Sequence, residues 1–308
     1  MENAEKNIIQ RPVMTFEAFA EELKRRMEER YTECRVEIRH VTKRNARRLT
    51  GLHFLEKESR GNISPVIYLD DFYEDYCSGV GIGRICGDIA GLWERSRTDA
   101  VFDTESFSVF EKVKNRICFR IVNAEMNQEY LKTVPHRLLL DLAILYYIPF
   151  FLESTGEEKA SITVTNQLAE TWGATEDDLY DLAARNTPLL MKSRTMTIQE
   201  MIEAAGMKMP RVGKPELYVS TSVFGTFGAA VMLYEGLLDS FAEEHGGDFY
   251  IIPSSLHELI FVSDFGQDKE LLAETVREVN ATVLDAEDIL SDHLYHYCAK
   301  KRQITIAV

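Results

Sequence analysis

Residues 136–152 read HRLLLDLAILYYIPFFL, an apolar run whose composition is compatible with either a helix or a strand. Length and pattern alone do not separate the two structures in a run of this kind. Asp141 interrupts the run, and Tyr146, Tyr147 and Ile148 have high strand propensity. We therefore predict a strand in the middle of this sequence.

Helices and strands alternate irregularly on both sides of the run. On its N-terminal side, Thr15 precedes a segment in which Phe19, Leu23 and Met27 recur at helical spacing, and residues 34–56 predict a two-stranded hairpin. On its C-terminal side, DFYIIPSS and HELIFVSD predict paired strands, and HLYHYCA with RQITIAV predicts a terminal hairpin. This order favours an α+β fold with mixed or antiparallel sheets and helices packed on them.

The length of 308 residues corresponds to about two domains. The best predicted boundary is the polar segment STGEEKA at 154–160. We therefore expect two lobes, an N-terminal α+β lobe over 1–153 and a C-terminal α+β lobe over 160–308.

The formal net charge of −15 is distributed unevenly. Residues 1–60 have a net charge of +3, and the remaining 248 residues have −18. An acidic chain is a poor match for a nucleic-acid coat, because phosphate neutralisation requires basic groups. The basic hairpin over 35–48 is instead a candidate for a protein partner or for self-association, through Arg39, Lys43, Arg44, Arg47 and Arg48. Few aromatic residues lie in it, so it lacks the stacking platform of a single-strand binder.

The five cysteines are scattered, and none forms a Cys-x-x-Cys pair. No disulfide framework or zinc ribbon is therefore predicted, and no cofactor is expected. The apolar run over 138–152 is shorter than the roughly 20 residues of a membrane span, and the N-terminus lacks a signal-peptide pattern. We expect a cytoplasmic protein that has no membrane segment.

The segment PSSLHE, residues 253–258, is the strongest candidate for a polar site. A serine nucleophile requires a base, so Ser255, His257 and Glu258 suggest a hydrolase if a group from another segment, such as Asn186, converges on them. The alternative is a hairpin turn in which proline and serine provide the bend. A triad is normally assembled from distant segments, which favours the turn.

Other polar groups have simpler explanations. His293, His296 and Cys298 suggest a metal, but the two histidines point to opposite faces of a strand, so we predict an edge hairpin and no metal. GVGIGRICG, residues 79–87, lacks the Gly-x-Gly-x-x-Gly pattern and predicts a turn into a helix. Asn186-Thr187-Pro188 predicts the end of a helix, because proline disfavours its continuation.

Four segments carry a resemblance over nearly the whole chain. They are PVIYLDDFYEDYCSG, TWGATEDDLYDLAARNTP, GAAVMLYEGLLDSFAEEHGGDFYIIPSSLHELIFV and SDHLYHYCAKKRQITI. The sequence resembles an uncharacterised family of bacterial proteins of about 300 residues, classed as a domain of unknown function and common in gut anaerobes. The resemblance implies a bacterial, intracellular protein and no assigned activity.

These observations favour a soluble, non-enzymatic binding or regulatory protein. A hydrolase-like enzyme that uses the region of Ser255, His257 and Glu258 is one alternative. An electrostatic adaptor that binds nucleic acid through the basic hairpin is the other, although the overall charge disfavours it.

Overall fold

A computed structural model gives the fold of this chain, and its description covers residues 13–42, 45, 48–56, 66–99, 107, 109–151, 158–204, 206 and 216–308. The contacts divide the chain into two compact units. The first comprises Met1–Thr42 and Arg48–Glu105, and the second comprises Lys43–Arg47 and Ser106–Val308. Both contain helices and antiparallel strands, which confirms the predicted α+β class.

The first unit has one antiparallel sheet of three strands in the order β1-β2-β3. Its elements are α1 (Phe16–Arg30), β1 (Cys34–Thr42), β2 (Arg48–Glu56), β3 (Val66–Tyr68), α2 (Asp70–Cys77) and α3 (Ile82–Asp99). The predicted helix after Thr15, the predicted hairpin and the turn into α3 are confirmed. The Thr15 hydroxyl caps α1 by accepting from the Ala18 N–H. Phe54 stacks on Trp93 in the core, with ring centroids 4.6 Å apart.

The second unit begins with a sheet built around one long strand. Its elements are α4 (Phe110–Val113), a 3₁₀ turn (Lys114–Arg116), β4 (Cys118–Asn123), α5 (Gln128–Leu131), β5 (His136–Leu139), β6 (Leu142–Phe151) and β7 (Glu158–Thr163). β6 pairs with β4 on one side and with β5 and then β7 on the other. The strand predicted in the central apolar run is confirmed. Its first part is the separate strand β5, which turns into β6 at Leu140 and Asp141.

Two helices and a strand follow this sheet, namely α6 (Asn166–Trp172), α7 (Glu176–Leu190) and β8 (Ser193–Thr197), before α8 (Ile198–Ala204). The predicted end of α7 at Asn186-Thr187-Pro188 is wrong, because the helix continues to Leu190 with Pro188 inside it. Tertiary hydrogen bonds outweigh the unfavourable proline here. The Thr187 hydroxyl accepts from the Phe119 N–H, and the Asn186 amide donates to the carbonyls of Lys114 and Ile117.

The second sheet of this unit has six antiparallel strands in the order β13-β12-β10-β11-β9-β8. Its remaining elements are β9 (Leu217–Ser222), a 3₁₀ helix (Gly228–Leu233), α9 (Leu237–His245), β10 (Phe249–Ile252), β11 (Glu258–Ser263), α10 (Lys269–Thr282), β12 (Tyr295–Cys298) and β13 (Gln303–Ile306). Both predicted hairpins are confirmed. The segment Gly228–Leu233 is a 3₁₀ helix, and most of its residues are buried in the main core.

The chain passes from one unit to the other after residues 42, 47 and 105, and the two lobes expected over 1–153 and 160–308 stay a prediction. The last residues of the predicted boundary at 154–160 belong to β7, which pairs with β6 in one sheet. Residues 152–157 themselves lie outside the described residues.

A capping box at the start of α7 predicts a pH dependence. Hydrogen bonds from the side chain and backbone of Thr175 lower the pKa of Asp178 below its ordinary value of 3.8. Because the pKa of Asp178 is lower in the folded chain than in the unfolded chain, the ionised carboxylate stabilises the fold above about pH 4. This contribution to the unfolding free energy is lost as the pH falls through the pKa of the folded state. Asp178→Asn should therefore reduce the drop in the urea midpoint between neutral and acidic pH. Asp181→Asn, on an exposed position of α7, should leave that drop unchanged, and equal effects would contradict the assignment.

Candidate functional site

Arg120 is a basic residue in a strand that is otherwise apolar at its centre. It is the third residue of β4, where the first five positions are buried, and only 6% of Arg120 is exposed. Its neighbours Phe119 and Ile121 point into the main core of the second unit. Because side chains alternate along a strand, Arg120 shares the other face with Cys118, which packs on Tyr147.

Two aromatic rings form a corner around the guanidinium of Arg120. Its Cζ atom lies 4.8 Å from the ring centroid of Tyr147 and 4.8 Å from that of Phe227. The two rings are tilted by 59°, with centroids 6.1 Å apart, so the guanidinium lies beside the pair and is not enclosed between parallel rings. Both contacts are cation–π interactions, which are stronger in a buried environment.

The charge of Arg120 has no carboxylate partner among the described residues. Among these residues, the Arg120 Nη2 atom donates a hydrogen bond to the Thr163 hydroxyl at 2.6 Å. The Arg120 Nε atom is buried and has no hydrogen-bond partner there. Two arginines of the same unit that are more exposed than Arg120 have carboxylate partners. Arg137 pairs with Glu176 and Asp177, and Arg302 pairs with Asp239. Within the described residues, Arg120 is thus a buried arginine whose charge no carboxylate neutralises.

Burial of this group is costly. Arginine has five N–H donors and stays protonated in proteins. It therefore cannot lower the free-energy cost of its burial by losing its charge. The effective penalty for a buried unpaired ion is several kcal/mol, and a desolvated cation–π contact offsets about 2 kcal/mol of it. An oxyanion bound to the guanidinium would offset most of the remainder.

The groups around Arg120 are donors. The Thr163 hydroxyl accepts from Arg120 and, at 3.5 Å, from the Tyr130 hydroxyl. With both of these bonds formed, its own proton is available to an acceptor. A group with several acceptor oxygens and no donor fits this set, which is the chemistry of a carboxylate or a phosphate.

His257 is attached to this site through Phe227. Its Nδ1 atom accepts from the Phe227 backbone N–H at 3.2 Å, and its Nε2 atom lies 3.2 Å from Asp288 Oδ1. A ring nitrogen that accepts carries no proton, so the geometry assigns the neutral tautomer with its proton on Nε2, directed at Asp288. Phe227 has a φ of +51°, a left-handed conformation that costs a residue with a Cβ about 1–2 kcal/mol.

Ser254 and Ser255, which lie beside His257, form no hydrogen bond with its imidazole. The hydroxyl of Ser255, which is 7% exposed, accepts from the His257 backbone N–H at 3.0 Å, and the Ser254 hydroxyl donates to Glu258 at 3.1 Å. These are the bonds of a tight turn between β10 and β11. Asn186, the predicted converging group, holds the 3₁₀ turn before β4 instead, and Asp288 is the group that reaches His257.

The basic hairpin residues are described in part. Arg39 is exposed and pairs with Glu37, which also pairs with Arg35. Lys43, Arg44 and Arg47 lie outside the described residues, as does the side chain of Arg48. Their role stays a prediction.

The two histidines near the C-terminal hairpin pair with different carboxylates. His293 Nδ1 lies 3.2 Å from Asp141, and His296 lies 3.3 Å from Asp264. Asp141 also accepts from the hydroxyls of Ser291 and Tyr295, so the acid that interrupts the central apolar run joins a half-buried polar cluster. Within the described ranges, no three histidine, cysteine or acidic residues come together as metal ligands.

The sequence did contain a signal for the Arg120 site. In VKNRICFRIVN, residues 113–123, Arg120 is a charge among the apolar residues of the segment 117–122. A charge at such a position implies either a solvated face or a buried partner. The two aromatic walls, Tyr147 and Phe227, come from distant segments, and no spacing rule reveals them.

Comparison with known proteins gives one match. A family described as "Family of unknown function (DUF5688)" matches residues 16–299. No curated protein and no solved structure gives a significant match. Of the helices in the described ranges, none is long and apolar enough to cross a membrane.

Proposed function

This chain belongs to that family of unknown function, and we propose that it is a non-enzymatic binding protein for a small anionic molecule. The observation that carries the proposal is the 94% buried Arg120, whose charge has no carboxylate partner in the described part of the chain. The anion binds to the guanidinium and the Thr163 hydroxyl, beside Tyr147 and Phe227.

The class of ligand follows from the surrounding groups. The donor set selects a carboxylate or a phosphate group, which accepts two parallel bonds from a guanidinium. The apolar ring of Tyr147 strengthens these bonds by lowering the local dielectric. An apolar wall of this kind also accommodates an apolar part of the ligand.

The hydrolase alternative has less support. A nucleophile must be within hydrogen-bond reach of its base, and the Ser255 hydroxyl bonds to the His257 backbone and not to its ring. Both imidazole nitrogens already have protein partners, Phe227 and Asp288. The same histidine is better explained as a structural support for the residue that covers Arg120.

The finer expectations from the sequence remain proposals. We propose a bacterial, cytoplasmic protein, on the resemblance and on cysteines that are all free in this structure. A protein partner or a second copy of the chain would contact the basic hairpin, where Arg35 and Arg39 are exposed. Binding of nucleic acid through the same hairpin is the weaker alternative, and a salt-sensitive gel shift would support it.

Arg120→Met tests the proposed function. Inorganic phosphate or acetate should raise the thermal midpoint of the wild-type chain, and the variant should lose at least about tenfold in affinity, because one charge-assisted bond contributes about 1.5–3 kcal/mol. Without an anion, the variant should be as stable as the wild type or more so, since it no longer buries an unpaired charge. Calorimetric titration and thermal unfolding measure both.

Arg137→Met is the matched control, because it removes an arginine of the same unit that already pairs with Glu176. It should keep the anion response while losing stability. An equal anion response in the wild type and Arg120→Met would overturn the proposal, as would a wild type that responds to neither anion.

A further inference from the structure

The turn that ends in Phe227 covers the Arg120 guanidinium. It runs from residue 223 to residue 227, between β9 and the 3₁₀ helix that starts at Gly228. Val223 and Gly225 are exposed, whereas the Phe227 ring is half-buried against Arg120 and Tyr147. An anion can reach the buried Nε of Arg120 only if a covering group moves.

Of the two rings that contact Arg120, the Phe227 ring is the one that can move more easily. Tyr147 is fixed in the middle of β6, where it pairs with both β4 and β7. Phe227 lies in an irregular segment and has a left-handed backbone at φ +51°. A phenylalanine in that conformation is strained, and it remains there only if other contacts hold it.

His257 supplies those contacts. Its Nδ1 atom accepts from the Phe227 N–H, and its ring lies against the Phe227 ring with centroids 5.8 Å apart. His257 is itself held at three points. Asp288 bonds its Nε2 atom, the Thr221 hydroxyl donates to its carbonyl at 2.6 Å, and its N–H donates to Ser255. The polar motif at 253–258 thus has a role that needs no nucleophile.

We propose that the 223–227 turn is a lid over the anion site and that His257, held by Asp288, is the latch that keeps it closed. The inference rests on the proposed function, because it concerns access to the Arg120 site. Opening breaks the Phe227–His257 hydrogen bond, releases the strained backbone and exposes the guanidinium. Since only the open form admits the anion, the apparent affinity is the intrinsic affinity reduced by the open fraction.

His257→Ala tests the latch with two measurements. Amide hydrogen exchange in a peptide over 223–230 should become at least about tenfold faster, because the Phe227 N–H loses its acceptor. The affinity for inorganic phosphate should rise several-fold, because less free energy is spent on opening. His296→Ala is the matched control. It removes a half-buried histidine of the same unit that pairs with Asp264, and it should change neither measurement.

Phe227→Gly is a second test of the lid. Its result does not depend on whether the fold tolerates a cavity at residue 257. Glycine adopts φ +51° without strain and removes the covering ring, so it should raise the phosphate affinity. Unchanged exchange over 223–230 in His257→Ala would overturn the latch, whether or not phosphate binds. Faster exchange with unchanged phosphate affinity in both variants would overturn the lid. The absence of phosphate and acetate binding in every variant would instead count against the proposed function, and the exchange result would still decide the latch.

Discussion

Gly228→Ala is expected to destabilise the second unit by about 3 kcal/mol. A Cβ atom at this position would lie less than 3.0 Å from the Thr221 hydroxyl, the His257 carbonyl oxygen and the Ser222 nitrogen. Two of these three atoms belong to the backbone, so no change of rotamer relieves the overlap. The added methyl also separates Thr221 from His257, whose hydrogen bond fixes the turn before β11.

Gly225→Ala is the control for this substitution. Gly225 has a φ of +66° and open space around its Cα atom, so alanine there adds backbone strain of about 1 kcal/mol without a clash. Urea unfolding followed by circular dichroism measures both variants. An equal loss of unfolding free energy would show that the close approach at Gly228 is relieved by movement of the neighbouring chain.

Asp141→Ala is expected to cost about 3–5 kcal/mol of unfolding free energy. The carboxylate accepts from the Ser291 hydroxyl at 2.6 Å, from the Tyr295 hydroxyl at 2.8 Å and from His293 at 3.2 Å. Ser291 and Tyr295 are both 0% exposed. Burial and the nearby Asp141 raise the pKa of Tyr295 above its usual range, so the phenol stays a neutral donor that needs an acceptor.

A double-mutant cycle isolates the tyrosine bond. Tyr295→Phe removes the donor, and Asp141→Ala in that background should cost at least about 1 kcal/mol less than in the wild type. Asp181→Ala, an exposed acid of the same unit, should change the unfolding free energy by less than about 0.5 kcal/mol. Additive costs for the two cluster substitutions would mean that the hydrogen bond contributes little.

The elements that local patterns define were predictable from the sequence. The amphipathic helix α1, the strand pairs β1–β2 and β10–β11, and the terminal hairpin each have the period of their structure, and each is confirmed. The errors occurred where tertiary contacts outweigh local preference. α7 continues through Pro188 because Asn186 and Thr187 bond to the segment around β4, which lies some 70 positions earlier.

The candidate site was less predictable for a related reason. The sequence indicates the turn that contains Ser255 and His257, but it suggests Asn186 as the group that converges on it. The structure instead joins His257 to Asp288, 31 positions later, and to Phe227, 30 positions earlier. Arg120 was not identified because a single arginine in a strand has no motif. Its role depends on the fact that no carboxylate in the described part of the chain pairs with it, which sequence spacing does not reveal.

The half-buried cluster around Asp141 also bears on how the chain folds during its synthesis. Asp141 and Tyr295 are 154 positions apart, so the ribosome releases the acceptor long before its donor exists. Until then the apolar strand β6 lacks the C-terminal part of its unit, and exposed apolar segments of this kind aggregate readily. Contacts so distant in sequence also slow folding. Expression at low temperature or with a slower translation rate should therefore increase the soluble yield more than a stabilising substitution in α1 would.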